Sequence, residues 1–323
     1  GEQRLRFLYV HTFCDANATA PDLWNDHKEE LHTQLFVNTL NVLEGKHARK
    51  DPSVLKNAYT EIEVEGVPQN ELIEHLDQVP ERYFSHTGKE EVALHVDMVH
   101  RFAHNGNNSG KPILSWRNDV RRTLTIVDIV TRDRPALFEK IAGGFSVAGL
   151  NILGARAVTR KDGIAIDVFY VEGEKGGIVN DAKTRALCES SIHDFLENET
   201  SPDQLIKEKR KKTDNNRPFS NEDRLGERIP PSVDVYHDVS LGRIIVEVRA
   251  SDQVGLLHLI AKTISRCGFS IQFARVATEQ GIATDIFNIE KSTDGKKFSP
   301  SQFLQLREEL SESLNAGKYY LEV

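Results

Sequence analysis

The chain of 323 residues has no excess of positive charge: 41 Lys and Arg stand against 49 Asp and Glu, for a formal net charge of −8. That balance gives no electrostatic footprint for nucleic acid. The one basic run, Lys207 to Lys212, sits among Asp203, Glu208 and Asp214 and reads as a solvated loop rather than a phosphate-binding patch. Cysteine is scarce. Cys14, Cys188 and Cys267 are odd in number, far apart and free of C-x-x-C spacing, which argues against a disulfide framework and fits a reduced, cytoplasmic setting. Long apolar runs are absent too: none approaches the roughly 18 residues of a bilayer span, and no secretory signal opens the chain. No membrane partner is expected. Because the chain starts at Gly1 and enters helical sequence at once, a piece of a longer protein is expected.

What the chain does have is one segment twice. Asp133, Leu137, Ile141, Ala142, Ser146, Gly149, Ile152, Ala155, Arg156 and Thr159 recur as Asp252, Leu256, Ile260, Ala261, Ser265, Gly268, Ile271, Ala274, Arg275 and Thr278, at a constant offset of 252 − 133 = 119 positions. After one dropped residue, Gly163-Ile164-Ala165, Asp167 and Phe169 recur as Gly281-Ile282-Ala283, Asp285 and Phe287. Two copies with flanking elements indicate domain duplication, since a solenoid needs at least three stacked units.

Residues 1–104 read as helical: Leu5, Leu8, Thr12 and Asp15 share a helical stripe, as do Leu31, Leu35, Asn38 and Val42. Pro80-Glu81-Arg82-Tyr83 breaks one helix, and Lys89 to His104 gives the next. The aperiodic Asn- and Gly-rich stretch Asn105 to Pro112 marks a flexible linker over 105–118. The first repeat unit is expected over 119–240, with a charged insertion near 199–231, and the second over 241–323.

Thr123 to Thr131 and Arg243 to Ala250 are β-branched strands. Pro135 at an early helical position and Gly149 just past the end frame a helix, matched by the segment from Leu256 to Ile264. Ile152 to Val158 and Ile164 to Val171 form a hairpin, Asn180 to Leu196 and Ser301 to Leu314 give second helices, and Ser232 to His237 and Lys318 to Val323 are expected as last strands. The fold class is therefore α+β: a helical region followed by two ferredoxin-like βαββαβ units, a fold that by itself decides no function.

Asp133-Arg134-Pro135-Ala136-Leu137 and Asp252-Gln253-Val254-Gly255-Leu256 each follow an apolar strand and open a helix. Gly149-Leu150-Asn151-Ile152 and Gly268-Phe269-Ser270-Ile271 lead into the next strand. This resembles the D-x-x-G-L and G-x-N-I pattern of ACT domains, regulatory modules that bind amino acids. A helix N-terminus presents unpaired N–H groups and a positive partial charge suited to a carboxylate. Asp133 and Asp252 are placed either to receive an α-ammonium or to cap the helix. Ala136 departs from the pattern, so ligand binding is expected first at the Gly255 loop. Asp167 and Asp285, within strands, read as structural, and Arg156 and Arg275 as structural partners or anion contacts.

In the helical region, Leu5 to Thr19 followed by Leu23-Trp24-Asn25-Asp26 resembles the L-x-x-L-T-x-x-D-x-x-A-T…W-N stretch that closes the HD domain in the bifunctional uridylyltransferase and uridylyl-removing enzymes of nitrogen signalling. Leu76 to Phe84 is similar to that family's H-L-x-x-x-P-E-R-Y-F linker. The resemblance implies the C-terminal part of such an enzyme, with tandem ACT domains sensing glutamine to control uridylylation and deuridylylation of the PII signal protein. It also implies a divalent metal, Mg or Mn, in the parent's HD site, to which Asp15 would contribute one ligand. No complete catalytic set is present.

His193-Asp194 and His237-Asp238 fall inside the repeats and read as surface or strand residues. His100 and His104, four apart, lack a carboxylate on the same face. Two alternatives stay open: a stand-alone amino-acid-binding protein with a helical docking region, and a diverged hydrolase with a metal site around Asp15 using His11, His27 or His32. The number of ligands, and whether the units pair within one chain or across a homodimer, also stay open.

Overall fold

The computed structural model describes residues 2–19, 32–33, 35–36, 39–40, 52–84, 86–104, 110–198, 200–216, 230–238, 243–279, 281–291 and 300–319. They fall into two compact units, one drawn from residues 1–63 and 81–92, the other from 64–80 and 93–323.

The first unit contains α1 (Glu2–Thr19), α2 (Pro52–Tyr59) and α4 (Glu81–Phe84). Tyr59 packs 6.1 Å from Phe84, centroid to centroid, and donates its hydroxyl to the Thr87 carbonyl at 2.8 Å. On α1 the large apolar side chains Phe7, Leu8, Val10 and Phe13 are exposed. Most of the stripe from Leu31 to Val42 lies outside the described residues.

The second unit holds α3 (Gln69–Gln78), most of α5 (Lys89–His104) and the duplicated region. The first copy runs β1 (Ile113–Asp119), β2 (Leu124–Arg132), α6 (Leu137–Ala148), β3 (Asn151–Thr159), β4 (Ile164–Glu172) and α7 (Ala182–Glu197). After α8 (Asp203–Asn216) the second copy runs β5 (Ser232–Asp238), β6 (Arg243–Ser251), α9 (Leu256–Arg266), β7 (Phe269–Glu279), β8 (Ile282–Lys291) and α10 (Pro300–Tyr319). All eight strands form one sheet in the order β1-β2-β4-β3-β7-β8-β6-β5. Every pairing is antiparallel.

The order is a palindrome in which each strand is mirrored by its equivalent. At the centre Ala155 pairs with Ala274, and 155 + 119 = 274, so a local two-fold axis passes between the same residue of each copy. Even the β-bulges correspond, at Leu153 between Ile152 and Gly154 and at Gln272 between Ile271 and Phe273. Phe138, Phe145, Ile192, Leu257, Ile264 and Leu310 cover one face of the sheet, packed on Val127, Phe169, Val246 and Phe287 in a single buried cluster. Gly143 and Gly144 let α6 approach its neighbours: a Cβ on Gly144 would lie 2.4 Å from Ile192 Cγ1, and one on Gly143 2.5 Å from Pro202 Cγ.

The α+β class with two ferredoxin-like units is observed, but the strand completing each unit comes from the opposite side of the sequence. Ser232 to His237, expected to close copy one, pairs with β6 and opens copy two. Its equivalent in copy one is β1, which occupies the end of the expected linker: 113 + 119 = 232. Lys318 and Tyr319 end α10 instead of starting a strand, and 320–323 lie outside the described residues. Lys207 to Lys212, expected as a loop, lies within α8.

Candidate functional site

The repeated Asp-to-Leu motif folds identically in both copies, and its backbone explains the pattern. In copy two the Leu256 N–H donates to the Gln253 carbonyl at 3.0 Å, with Gly255 at φ 78°, the left-handed conformation that a type II turn requires at its third residue. In copy one the Leu137 N–H donates to Arg134 at 3.3 Å; Pro135 takes the second turn position, whose φ its ring presets, and Ala136 is forced to φ 61°. Pro135 therefore stands in the turn, ahead of the helix. The residues preceding α6 and α9 are Ala136 and Gly255, neither of which supplies a side-chain cap. Asp133 and Asp252 stand three residues further back.

Both aspartates are exposed, and each is tied by its backbone N–H to the tip of the neighbouring hairpin: Asp133 to the Gly163 carbonyl at 2.9 Å, Asp252 to Gly281 at 2.8 Å. Asp133 also accepts from Thr159 Oγ1 at 3.2 Å. Asp167 and Asp285 belong to the same constellation. They alternate with Ala165 and Phe169, and with Ala283 and Phe287, on the helix-covered face, and both are buried. Burial, with Asp133 adding to it and the Val158 backbone opposing, pushes Asp167 up to about 8. Burial, with Asp252 adding and Ala277 opposing, pushes Asp285 up to about 7. Each motif thus sets an exposed carboxylate beside a buried carboxyl whose ionisation is opposed by burial.

Asn151 and Ile152 begin β3, and Ser270 and Ile271 stand near the start of β7. Asn151 is exposed and Ile152 buried; Ser270 is partly buried and receives a hydrogen bond from Gln272 Nε2 at 3.1 Å. The Arg134 guanidinium donates to the Leu196 carbonyl at 2.6 Å. Arg156 lies 5.8 Å from the Tyr170 ring and pairs with Phe273 across the central seam.

The insertion contributes residues not expected at a site. Asp203, Ile206 and Arg210 lie three and four apart along one face of α8. Ile206 is 3% exposed and seated on Gly255, where a Cβ would lie 2.5 Å from its Cγ2. Arg210 Nε donates to the Val254 carbonyl at 2.5 Å. Asp203 accepts from His258 Nε2 at 3.1 Å and from Lys262 Nζ. Burial alone would raise Asp203, but hydrogen bonds from Lys262, Ser201 and His258 outweigh it and hold the carboxyl well below the usual carboxylate range. The i, i+3, i+7 spacing of Asp203, Ile206 and Arg210 was the available signal, obscured by the surrounding charge.

The other face of copy one carries a second polar group. Asp128, fully buried on β2, accepts from Arg117 at 2.8 and 2.9 Å and lies 3.1 Å from His95 Nε2. Burial opposes its charge, yet His95 and Arg117 hold it below its ordinary range. Arg160 donates to His75 Nδ1 at 3.1 Å, and burial, then Arg160 and His95, push His75 well below its usual value. At the equivalent positions of copy two, Tyr236 donates to Glu247 at 2.7 Å, and Tyr236 is exposed.

Glu71 supplies the carboxylate that sequence spacing did not reveal beside His100 and His104. Its oxygens lie 2.7 Å from His100 Nδ1 and 3.7 Å from His104 Nε2, a donor set suited to a divalent transition metal. The His104 Nδ1–H donates to the His100 carbonyl at 2.9 Å, leaving Nε2 as the ligand nitrogen. Asp15 and His11 are exposed on α1, and among the described residues no three-donor group forms around Asp15. His27 lies outside the described residues, and His193 Nε2 lies 3.1 Å from a Glu197 carboxylate oxygen. Cys14, Cys188 and Cys267 are free thiols, and burial raises that of Cys188. Among the described residues no helix is long and apolar enough to cross a membrane.

No family model matches the chain. Curated proteins named bifunctional uridylyltransferase/uridylyl-removing enzyme are similar to it over nearly its whole length. The protein from Phenylobacterium zucineum is 29% identical over 307 residues, 93% of this chain and 31% of that protein. That from Gluconobacter oxydans is 26% identical over 320 residues, 98% of this chain and 33% of the relative. That from Vibrio vulnificus is 27% identical over 323 residues, 96% and 34% respectively. The resemblance read from the motifs therefore holds along both the helical and the duplicated regions, and the chain spans about a third of the length of the curated relatives it matches.

Proposed function

We propose that the chain is the sensory portion of a PII uridylyltransferase/uridylyl-removing enzyme, in which two ACT-like units bind glutamine and bias the enzyme between adding UMP to PII and removing it. The observation that carries this reading is the two-fold related recurrence of a helix N-terminus without a side-chain cap beside an exposed Asp. Free backbone N–H groups and the helix dipole suit an α-carboxylate, and Asp133 or Asp252 suits an α-ammonium. The relatives' name supports the assignment of transfer and removal to the longer enzyme. Asp15 would belong to its hydrolytic metal site, filled by Mg or Mn together with ligands from elsewhere in the enzyme. Control then requires that glutamine bind two arrangements of the paired units with different affinity.

Calorimetric titration of the chain with a panel of amino acids tests the reading. Glutamine is expected to bind, and Asp133→Ala combined with Asp252→Ala is expected to abolish the heat of binding. A panel in which nothing binds at millimolar concentration, or a double variant that binds like the parent chain, would end it.

A further inference from the structure

The two-fold axis makes two equivalent junctions, each pairing the turn of one copy with the end of the first helix of the other. One joins the Val254–Gly255 turn to the Gly149 end of α6. One turn of α8 spans it: Ile206 sits on Gly255, while the Lys209 ammonium lies 2.8 Å from where a Cβ on Gly149 would be and 3.9 Å from Glu174. The other joins the Pro135–Ala136 turn to the Gly268 end of α9. There, among the described residues, nothing approaches within 4 Å of a Cβ built on Gly268, which is exposed, as are Asp133 and Pro135.

We propose that α8 is the resident occupant of the first junction, and that the pair therefore offers a small zwitterion one open site, built from Asp133, Pro135 and Ala136 with the Gly268–Gln272 segment. This rests on the amino-acid-sensing reading and reverses the preference for the Gly255 loop drawn from sequence.

The contacts of α8 are those a bound amino acid would make. A cationic N–H donor, Arg210 Nε, engages the Val254 carbonyl, two residues past the Asp252 that would take an α-ammonium. An aliphatic side chain, Ile206, fills the space over Gly255. The helix is held in place by Asp203 against His258 and Lys262 and by Pro202 against Gly143. The motif glycine in copy two then has a second reason to exist: Ile206 leaves no room for a Cβ. Copy one adopts the same left-handed turn with Ala136. Val254 corresponds to Pro135 (254 − 119 = 135), so the Pro135 carbonyl is the equivalent acceptor at the open site.

The test uses the whole chain, glutamine as the probe, and two readouts. In calorimetry the parent chain is expected to bind one ligand, lost in Asp133→Ala and kept in Asp252→Ala. Ile206→Ala with Arg210→Ala, or Arg210→Ala alone should the double variant not fold, is expected to bind two. Two ligands on the parent chain, loss only in Asp252→Ala, or one ligand still on the variant would each overturn the proposal. Hydrogen exchange without ligand gives an independent arm: amides of Lys207 to Arg210 are expected to be protected in the parent chain and to lose that protection in the variant. Equal protection in both would overturn the seating of α8. If glutamine binds no form while the exchange result holds, the sensing reading fails and the seated helix stands.

Discussion

At the scale of single residues, the two copies carry out the same turn with unequal strain. A left-handed conformation costs an L-residue roughly 1–2 kcal/mol, and Ala136 bears that cost at φ 61° where Gly255 does not at φ 78°. Glycine's extra freedom in the unfolded chain returns about 0.4–1 kcal/mol of it. Ala136→Gly is therefore expected to stabilise the protein by about 0.5–1 kcal/mol, read as a higher urea midpoint at unchanged slope. Gly255→Ala is expected to cost more than Ala136→Gly gains, because its Cβ would also meet Ile206. A midpoint unchanged by the first substitution would show the strain to be relaxed elsewhere. The buried carboxyls make a second residue-scale prediction. Asp167 and Asp285 are raised to about 8 and about 7, above an unfolded value near ~4. Between those limits the folded state holds protons that the unfolded chain has released, so stability falls as pH rises, by up to about 1.4 kcal/mol per pH unit for each group. Asp285→Asn should flatten that fall between about pH 5 and about pH 7 in urea titrations; parallel profiles for variant and parent would sink it.

At the scale of elements, what was legible in the sequence was what depends on local pattern. The 3.6-residue stripe of Leu137, Ile141 and Phe145 and the alternation of Ile244, Val246 and Val248 announce α6 and β6 because their burial periodicity is written into consecutive residues. Partnership was less legible. Ser232 to His237 reads as a strand on its own, but whether it closes one unit or opens the next depends on the pairing across 239–242, which no local pattern carries. The offset of 119 did carry it, since 113 and 232 are equivalent, but the stretch Asn105 to Pro112 drew the boundary across β1. α8 was hidden for a different reason. Its charge suggests solvent on all sides, and only Ile206 declares a buried face. The turn motif was found but Pro135 was placed inside the helix, because a type II turn moves the helix start past it to Leu137. Close packing at this scale is testable at Gly144, where an added methyl meets Ile192 at 2.4 Å. Gly144→Ala is expected to destabilise by about 1–3 kcal/mol, less the gain in helix propensity of about 1 kcal/mol. A net rise in stability would mean that α6 and α7 separate freely.

At the scale of the whole duplicated region, internal symmetry and its violation answer different needs. The dyad at Ala155 and Ala274 runs one sheet through both copies, and the side chains of α6, α7, α9 and α10 merge into one buried cluster. α8 and the α3/α5 helices break that symmetry, the first by crossing from copy one to the turn of copy two, the others by bonding His75 and His95 to Arg160 and Asp128 on copy one's open face. The proposed sensing would use both properties: a shared core would carry a change at one turn to the other unit, and unequal halves would let one site remain open while the other is held. The shared core has a measurable consequence. Two copies with separate cores would unfold in separate steps, whereas loss of either here exposes the common seam and the α6/α9 contact at which His258 Nδ1 donates to the Glu139 carbonyl at 3.0 Å. Heating should therefore give one calorimetric transition for the duplicated region, with matching van't Hoff and calorimetric enthalpies. Ala274→Glu, which places a charge at the fully buried dyad, should shift that transition without splitting it. Two resolved transitions in the parent chain, or hydrogen exchange that leaves copy one protected while copy two opens, would mean that the seam joins two independent domains and that a ligand at one turn has no packed route to the other.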